Sequence, residues 1–537
     1  MLKRNPPSAF CLLPSAFRLL PSAFRLLPSA FRLPLSASRL LLFAFCLLLA
    51  ACSPSPAPPP AETATPTVLA TLPPPVTPTL DTPTPSSTPP PQNIRPQYAL
   101  DVQFNYANKT AIVDETIVYV NNSADTLTSL VFGVEATCSQ SFTLNSVSIN
   151  QSPISDYAFD YQNVQAYIRH RLEVPLPQPL PPNGQATVQI NFGLILPVVG
   201  NFSDETSLCS QIYGYTAQQV NLVDWYPFIV PYVTGKGWVL HNPWYYGEHL
   251  TFEAADFDVS VEFTDGSNPV IAASGEEVAS DGAASRRFRL EAGRNFALSF
   301  APEYRVLTKT VGDVVIYSYY FPPYETAAAA VLNATAQSFE IYSQRFGSYI
   351  HKTLSVVQGD FNDGMEYSAL YYHSKGIYNN YDGTLKNHLT AVSVHETAHQ
   401  WWFEQVGNDQ GFEPWLDEAL ATYSEIVYYE TVQPDALKDW WWIYRFDPYK
   451  PLNQVDARIY EGEGQRPYWN KVYLNGAHFL QDLRTRIGDE AFFAFLQDYL
   501  AQMRGKIATT DDFFRILREH TSADLSDLIA QYFQNPH

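Results

Sequence analysis

Between Tyr98 and about Pro302, apolar and polar residues alternate with a period of two. The runs "YALDVQFNY", "AIVDETIVYVNN", "ATVQINFGLIL", "FDVSVEFTDG" and "RRFRLEAG" put apolar side chains on one face and polar ones on the other, with Asn, Asp, Gly and Pro between them. This pattern predicts half-buried antiparallel strands, and so an all-β domain over residues 96–303. Near Tyr304 the period changes. Residues 325–346 ("ETAAAAVLNATAQSFEIYSQRF") repeat at helical spacing, "TLSVVQG" and "ALYYHS" read as strands, and helical patterns dominate from Asn387 onward. The expected fold class is α+β and multidomain: an N-terminal antiparallel β domain, then a mixed α/β, mainly helical domain over residues 304–537. The aromatic run "NLVDWYPFIVPYV" reads as core or edge packing of the β domain rather than a carbohydrate platform.

Residues 1–95 show neither period. Imperfect heptads run from "PSAFCLL" at Pro7 through "PSAFRLL" at Pro14 and Pro21 to "LSASRLL" at Leu35. A proline in nearly every heptad breaks any continuous helix, so residues 1–51 are set aside as a leader. We read the heptads as a translated DNA-level repeat with the true start near Leu35; peptides from before Leu20 in the precursor would rule this out. After Arg39 come twelve apolar residues, "LLLFAFCLLLAA", too few to span a bilayer and suited to the apolar region of a signal peptide. "LAAC", ending at Cys52, resembles a bacterial lipobox. The resemblance implies a lipidated Cys52, a membrane attachment through that lipid and an extracytoplasmic, cell-surface location. Residues 52–95 continue as a Pro/Thr/Ser-rich stalk, which in polyproline II at roughly 3.1 Å per residue reaches on the order of 100 Å.

Composition changes this picture in two ways. The 537-residue chain carries a formal charge of −21, and its leader holds six basic residues and no acid, so residues 52–537 carry 27 basic against 54 acidic residues, a net −27. Phosphate neutralisation needs clustered Lys and Arg, so nucleic acid is excluded as a partner. Of five cysteines, Cys11 and Cys46 leave with the leader and Cys52 carries the lipid. Cys138 and Cys209 remain in an oxidising compartment, where we expect them to form a disulfide.

The chemistry concentrates in "HETAHQWW", residues 395–402. A helix returns to one face every three to four residues, so His395 and His399 can reach one metal ion, with Glu396 beside the open coordination position as a general base. Eighteen residues after His399 comes Glu418, within "EPWLDEALATYSEIVYYE", a second helical stretch. HExxH, eighteen residues and then Glu within "WLDEALATY" resembles the gluzincin metallopeptidases of the aminopeptidase N and leukotriene hydrolase family, whose usual form is WLNEGFATY. "HQWWFEQVGNDQGFEPW" is similar to that family as well.

Two further stretches fit the resemblance. "NDGMEY" is similar to the family's GxMEN segment, which implies that Glu366, with Met365 and Gly364, grips the free α-amino group of a substrate; Tyr367 stands where Asn is usual. "VYLNGAHFLQDLRTRIG" resembles the VYEKGA helix, which implies that Tyr473 donates to the oxyanion, with Leu474 and Asn475 replacing a charged pair. His388 and the acidic stretch holding Glu461 and Glu463 read as packing and solvated loop. The resemblance covers about residues 96–537 and implies a thermolysin-like catalytic domain over 304–537, without the large C-terminal helical domain of many relatives.

It also implies one Zn2+ per chain on His395, His399 and Glu418, Glu396 as proton acceptor, and peptide substrates with a free N-terminus. The expected activity is a zinc aminopeptidase at the extracytoplasmic surface. Two alternatives stay open: a zinc endopeptidase on the same scaffold, favoured by the shorter chain and Tyr367, and a surface-binding lipoprotein with a vestigial site. No oligomeric state can be read from the sequence.

Overall fold

Strand Gln97–Asn105 buries Tyr98, Leu100, Val102 and Phe104 and exposes the residues between, and Thr110–Val120 repeats the pattern. A computed structural model describes residues 94–160, 170–199, 212–280, 285–361, 364–449, 454–461 and 464–537. The leader, Cys52, the stalk up to residue 93, Cys209 and Glu463 lie outside the described residues. The two strands belong to an eight-stranded sheet running Glu276–Val278, Ser285–Gly293, Ala255–Phe263, Gln97–Asn105, Thr110–Val120, Gln185–Ile195, Phe142–Ile149 and Ser152–Pro153. Its inner face packs on two four-stranded sheets through a core that includes Leu100, Val113, Phe132, Val188, Phe192 and Trp225.

The sheet expected to be antiparallel is instead mixed, because Gln97–Asn105 pairs in parallel with Ala255–Phe263, from Gln97 opposite Asp256 to Phe104 opposite Phe263. A period of two reports which face is buried and is the same for either strand direction, so alternation could not reveal it. The aromatic run after Asn221 is core: Trp225 is fully buried with its Nε1 donating to the Phe296 carbonyl at 3.0 Å, and Tyr226, Phe228 and Val230 are buried beside it.

From Arg305 the chain forms a five-stranded sheet, ordered Arg305–Val311, Val314–Tyr320, Thr353–Gly359, Leu370–Ser374, Met365–Tyr367. The central pairs are parallel, and the last strand turns back antiparallel on its neighbour. That turn sets Glu366 on the sheet edge. Helices α1 (Glu325–Arg345), α2 (His388–Ala398), α3 (Trp415–Val432) and α4 (Gly476–Ile487) pack in sequence beyond the sheet, with Tyr342 of α1 donating to the Val394 carbonyl of α2 and the Ser424 carbonyl of α3. Gly476 allows α4 to approach α3, since a Cβ there would meet the Ala419 Cβ at 2.3 Å.

The β-rich part and the helical part are joined by a buried arginine. Arg294 donates to the carbonyls of Phe252, Glu404, Gln405 and Lys506. Burial pushes this guanidinium down to about 10. Two of the four acceptors, the Glu404 and Gln405 carbonyls, lie in the loop just beyond His399, so the β-rich part holds one edge of the site in place.

Candidate active site

Helix α2 is started by Asn387, whose side chain accepts from the Thr390 N–H at 3.0 Å, and it ends at His399. His395 and His399 are therefore one turn apart, their rings 4.8 Å between centroids and nearly perpendicular. Helix α3 carries Glu418 in its first turn and Glu425 seven residues on, which is two turns and the same face. Both reach His395: Glu418 Oε2 lies 3.2 Å from Nε2, and Glu425 Oε1 lies 3.2 Å from Nδ1.

His399 is held in the same way. Its Nδ1 stands 2.6 Å from Asp417 Oδ1 and its Nε2 stands 3.6 Å from Glu418 Oε2. The ring nitrogens of both histidines and a Glu418 oxygen lie within 4.8 Å of one another, all buried. Two ligands about 2.0–2.1 Å from one tetrahedral zinc stand about 3.3 Å apart, so this donor set fits that ion. Its surroundings fit as well. Burial opposes charge on both imidazoles, but the carboxylates of Glu366, Asp417 and Glu418 around His399, and of Glu418 and Glu425 around His395, outweigh it and raise both. The site favours positive charge.

Glu396 is buried on the same turn of α2. Gly364 makes room for it, since a Cβ there would come within 3.0 Å of Glu396 Oε1. Glu366, 4% exposed, accepts from Gln410 Nε2 at 3.3 Å, and one of its oxygens lies within 4.8 Å of His399 and Asp417 atoms. Burial, and then the nearby charges of Glu248, Asp417 and Glu418, raise its carboxyl well above the usual range although His399 pulls the other way. Tyr473 lies in a π-helical segment, Asn470–Asn475, with its ring parallel to that of His395 at 6.0 Å and its hydroxyl hydrogen-bonded to Glu418. Burial and the Glu418 charge push this phenol well above its ordinary value, so it remains a donor.

His395, Glu396, His399, Glu418, Glu366 and Tyr473 line one cavity of about 710 Å³ together with Met365, Tyr367 and His388. His388 stands outside the ligand group, 6.0 Å from the Trp440 ring. Glu461 pairs with Lys471 at 3.4 Å. Cys138 is disulfide-bonded.

Sequence reasoning missed several members. Asp417 sits next to Glu418 in the motif, and the seven-residue step from Glu418 to Glu425 is a helical signal that could have identified Glu425. Arg445, which donates to both Glu425 oxygens at 2.5 Å, comes from a π-helical segment, Leu437–Phe446, whose sequence gives no such sign. Glu248 enters the cavity from the β-rich part, about 150 residues before the histidines, with no local motif.

The Peptidase family M1 domain matches residues 330–532. Aminopeptidase O of Homo sapiens is 26% identical over 175 residues, 25% of this chain and 20% of that protein. Aminopeptidase N of Streptomyces lividans is 24% identical over 213 residues, 37% of this chain and 25% of that one. The matched segments thus span about a quarter or less of these relatives. The M1 zinc metallopeptidase from Deinococcus radiodurans shares the fold with a TM-score of 0.59 at 18% identity, over 82% of this chain and 95% of that one. A variant of it bound to a Tyr-Ser-Ala substrate superposes with a TM-score of 0.57, also at 18% identity and over 82% and 95% of the two chains.

Proposed function

We propose, for a chain that belongs to the gluzincin peptidases of the aminopeptidase N type, that it removes N-terminal residues from peptides as a zinc-dependent aminopeptidase. His395, His399 and Glu418 would hold the ion. A bound zinc supplies Lewis acidity, which polarises a peptide carbonyl and makes water easier to deprotonate. Glu396 takes the proton of the attacking water and returns it to the leaving amine. The Tyr473 hydroxyl donates to the carbonyl oxygen as it gains negative charge.

One observation carries the choice of aminopeptidase. Glu366 lies within 4.8 Å of the His399 ring, so a substrate amine paired with it places the first peptide bond, and no later one, over the ligand group. Glu248 adds a second, partly buried carboxylate, and the pair favours a protonated amine. The Deinococcus relative with a bound tripeptide supports peptide substrates. By the sequence reading, the enzyme works at the extracytoplasmic surface, held by lipid on Cys52 above a stalk, with Cys138 paired to Cys209.

The test uses purified, zinc-loaded protein on aminoacyl fluorogenic amides and on the same peptides N-acetylated, with and without chelator. Chelator-sensitive release from free amines alone is expected. Cleavage of acetylated peptides would replace the aminopeptidase reading with an endopeptidase one.

A further inference from the structure

A second polar cluster opens on the same cavity from the β-rich side. Glu135 begins a short turn, Glu135–Thr137, directly beyond strand Leu127–Gly133. His249 Nε2 lies 3.2 Å from Glu135 Oε2. Asp224, held at φ +46°, lines the cavity with both of them. Behind them His170 is 1% exposed, its ring centroid 6.4 Å from that of His249.

The cluster is incompletely satisfied. Glu135 Oε1, Asp224 Oδ1 and both ring nitrogens of His170 have no hydrogen-bond partner among the described residues. Buried polar atoms normally find partners, and the two carboxylate orphans, on residues that line the cavity, point to a ligand there. The cluster is not among the described groups whose ligand atoms converge on a metal-sized point, so an organic group is the better fit. The two orphaned carboxylate oxygens need donors. Burial works against the Glu135 charge, but His249 outweighs it and holds that carboxyl below its ordinary value; burial and Glu135 together push Asp224 up to about 7. A cation placed between them would restore the Asp224 charge and gain a charge-assisted hydrogen bond from each.

The chain also relates this cluster to the proposed amine anchor. His249 is the residue after Glu248, whose carboxylate interacts with Glu366, Asp417, Glu418 and His399. Consecutive residues thus face neighbouring parts of one cavity, about 3.8 Å apart at their Cα atoms. A substrate residue whose α-amine pairs with Glu366 and Glu248 sends its side chain from the same carbon. The long stem of lysine or arginine carries its charge away from that carbon, toward another wall of the same cavity.

We propose that Glu135, Asp224 and His249 form a subsite for the ammonium or guanidinium group of an N-terminal lysine or arginine. The proposal rests on the aminopeptidase reading, and its test separates the two. Zinc-loaded full-length protein is assayed on arginyl, lysyl, leucyl and methionyl fluorogenic amides. The wild type is expected to favour arginyl over leucyl in kcat/KM by about tenfold or more, and Asp224→Asn and Glu135→Gln each to lower that ratio by about tenfold. A wild-type ratio at or below one, or a ratio unmoved in both variants with native melting curves, would overturn the subsite. Calorimetric binding of L-argininamide and L-leucinamide to the zinc-loaded protein supplies a readout independent of turnover. If no amide is hydrolysed but argininamide binds about tenfold more tightly, and Asp224→Asn or Glu135→Gln abolishes that margin, the aminopeptidase reading fails and the subsite stands; equal binding of the two amides removes the subsite.

Discussion

Asp417 Oδ1 stands 2.6 Å from His399 Nδ1, so the imidazole presents Nε2 toward Glu418 and His395 with its tautomer and ring angle fixed from behind. Gln410 Nε2 donates to the other Asp417 oxygen at 2.9 Å and holds that carboxylate in turn. A carboxylate behind a ligating histidine raises its basicity and restricts its rotation, and losing such a partner commonly costs 10–100-fold in metal affinity.

Asp417→Ala is therefore expected to weaken zinc binding by about 10–100-fold. Asp417→Asn keeps an acceptor at Nδ1 and should lose less. Competition titration against a chromophoric chelator measures both; an alanine variant that binds zinc as tightly as the wild type would remove Asp417 from this role.

Arg445 and Glu425 form the second support. Glu425 is fully buried and accepts from Arg445 twice, from Trp441 Nε1 at 2.8 Å and from His395 at Nδ1. Arg445→Met leaves that carboxylate buried with its main counter-charge gone, which is expected to cost about 3 kcal/mol of stability. Urea unfolding reads the loss. Glu425→Gln with Arg445→Met should recover part of it, because the uncompensated charge is removed.

Glu396→Gln and Tyr473→Phe separate the two proposed steps. Glu396→Gln preserves size and removes the base, so kcat should fall by about 10²–10⁴-fold while bound zinc is retained. Tyr473→Phe removes a donor whose partner gains charge only as the reaction proceeds; kcat should fall by about 10²–10³-fold with KM little changed. Metal content and steady-state kinetics check both, and a phenylalanine variant with raised KM and normal kcat would make Tyr473 a binding residue instead.

His373 makes the support of α2 sensitive to acid. It is fully buried on strand Leu370–Ser374, with Nε2 3.0 Å from Ser393 Oγ and 3.2 Å from the Leu389 carbonyl, and burial pushes it down to about 4. In the unfolded chain the group titrates near 6.5, so between pH 6.5 and 4 the unfolded state binds more protons and stability falls as pH falls. At pH 5 this amounts to about 2 kcal/mol relative to pH 8. His373→Gln should remove that share of the pH dependence; denaturant midpoints at the two pH values, compared with the wild type, test it.

The sequence by itself determined which faces of strands and helices are buried, because apolar periodicity records burial directly, and it put His395 and His399 one turn apart on one helix face, because a helix repeats every 3.6 residues; Glu418 was singled out as their partner through the resemblance of its motif. The motif also singled out Glu396, Glu366 and Tyr473, which the fold brings into one cavity. Only the tertiary structure decided what surrounds them. Gln97–Asn105 pairs in parallel with a strand 150 residues away, Arg445 arrives on a π-helical segment, and Glu248, Glu135 and Asp224 enter from the β-rich part. These are contacts between segments distant in sequence, set by sheet order and domain packing, and a local pattern of residues carries no information about which distant charge will face it across a cavity.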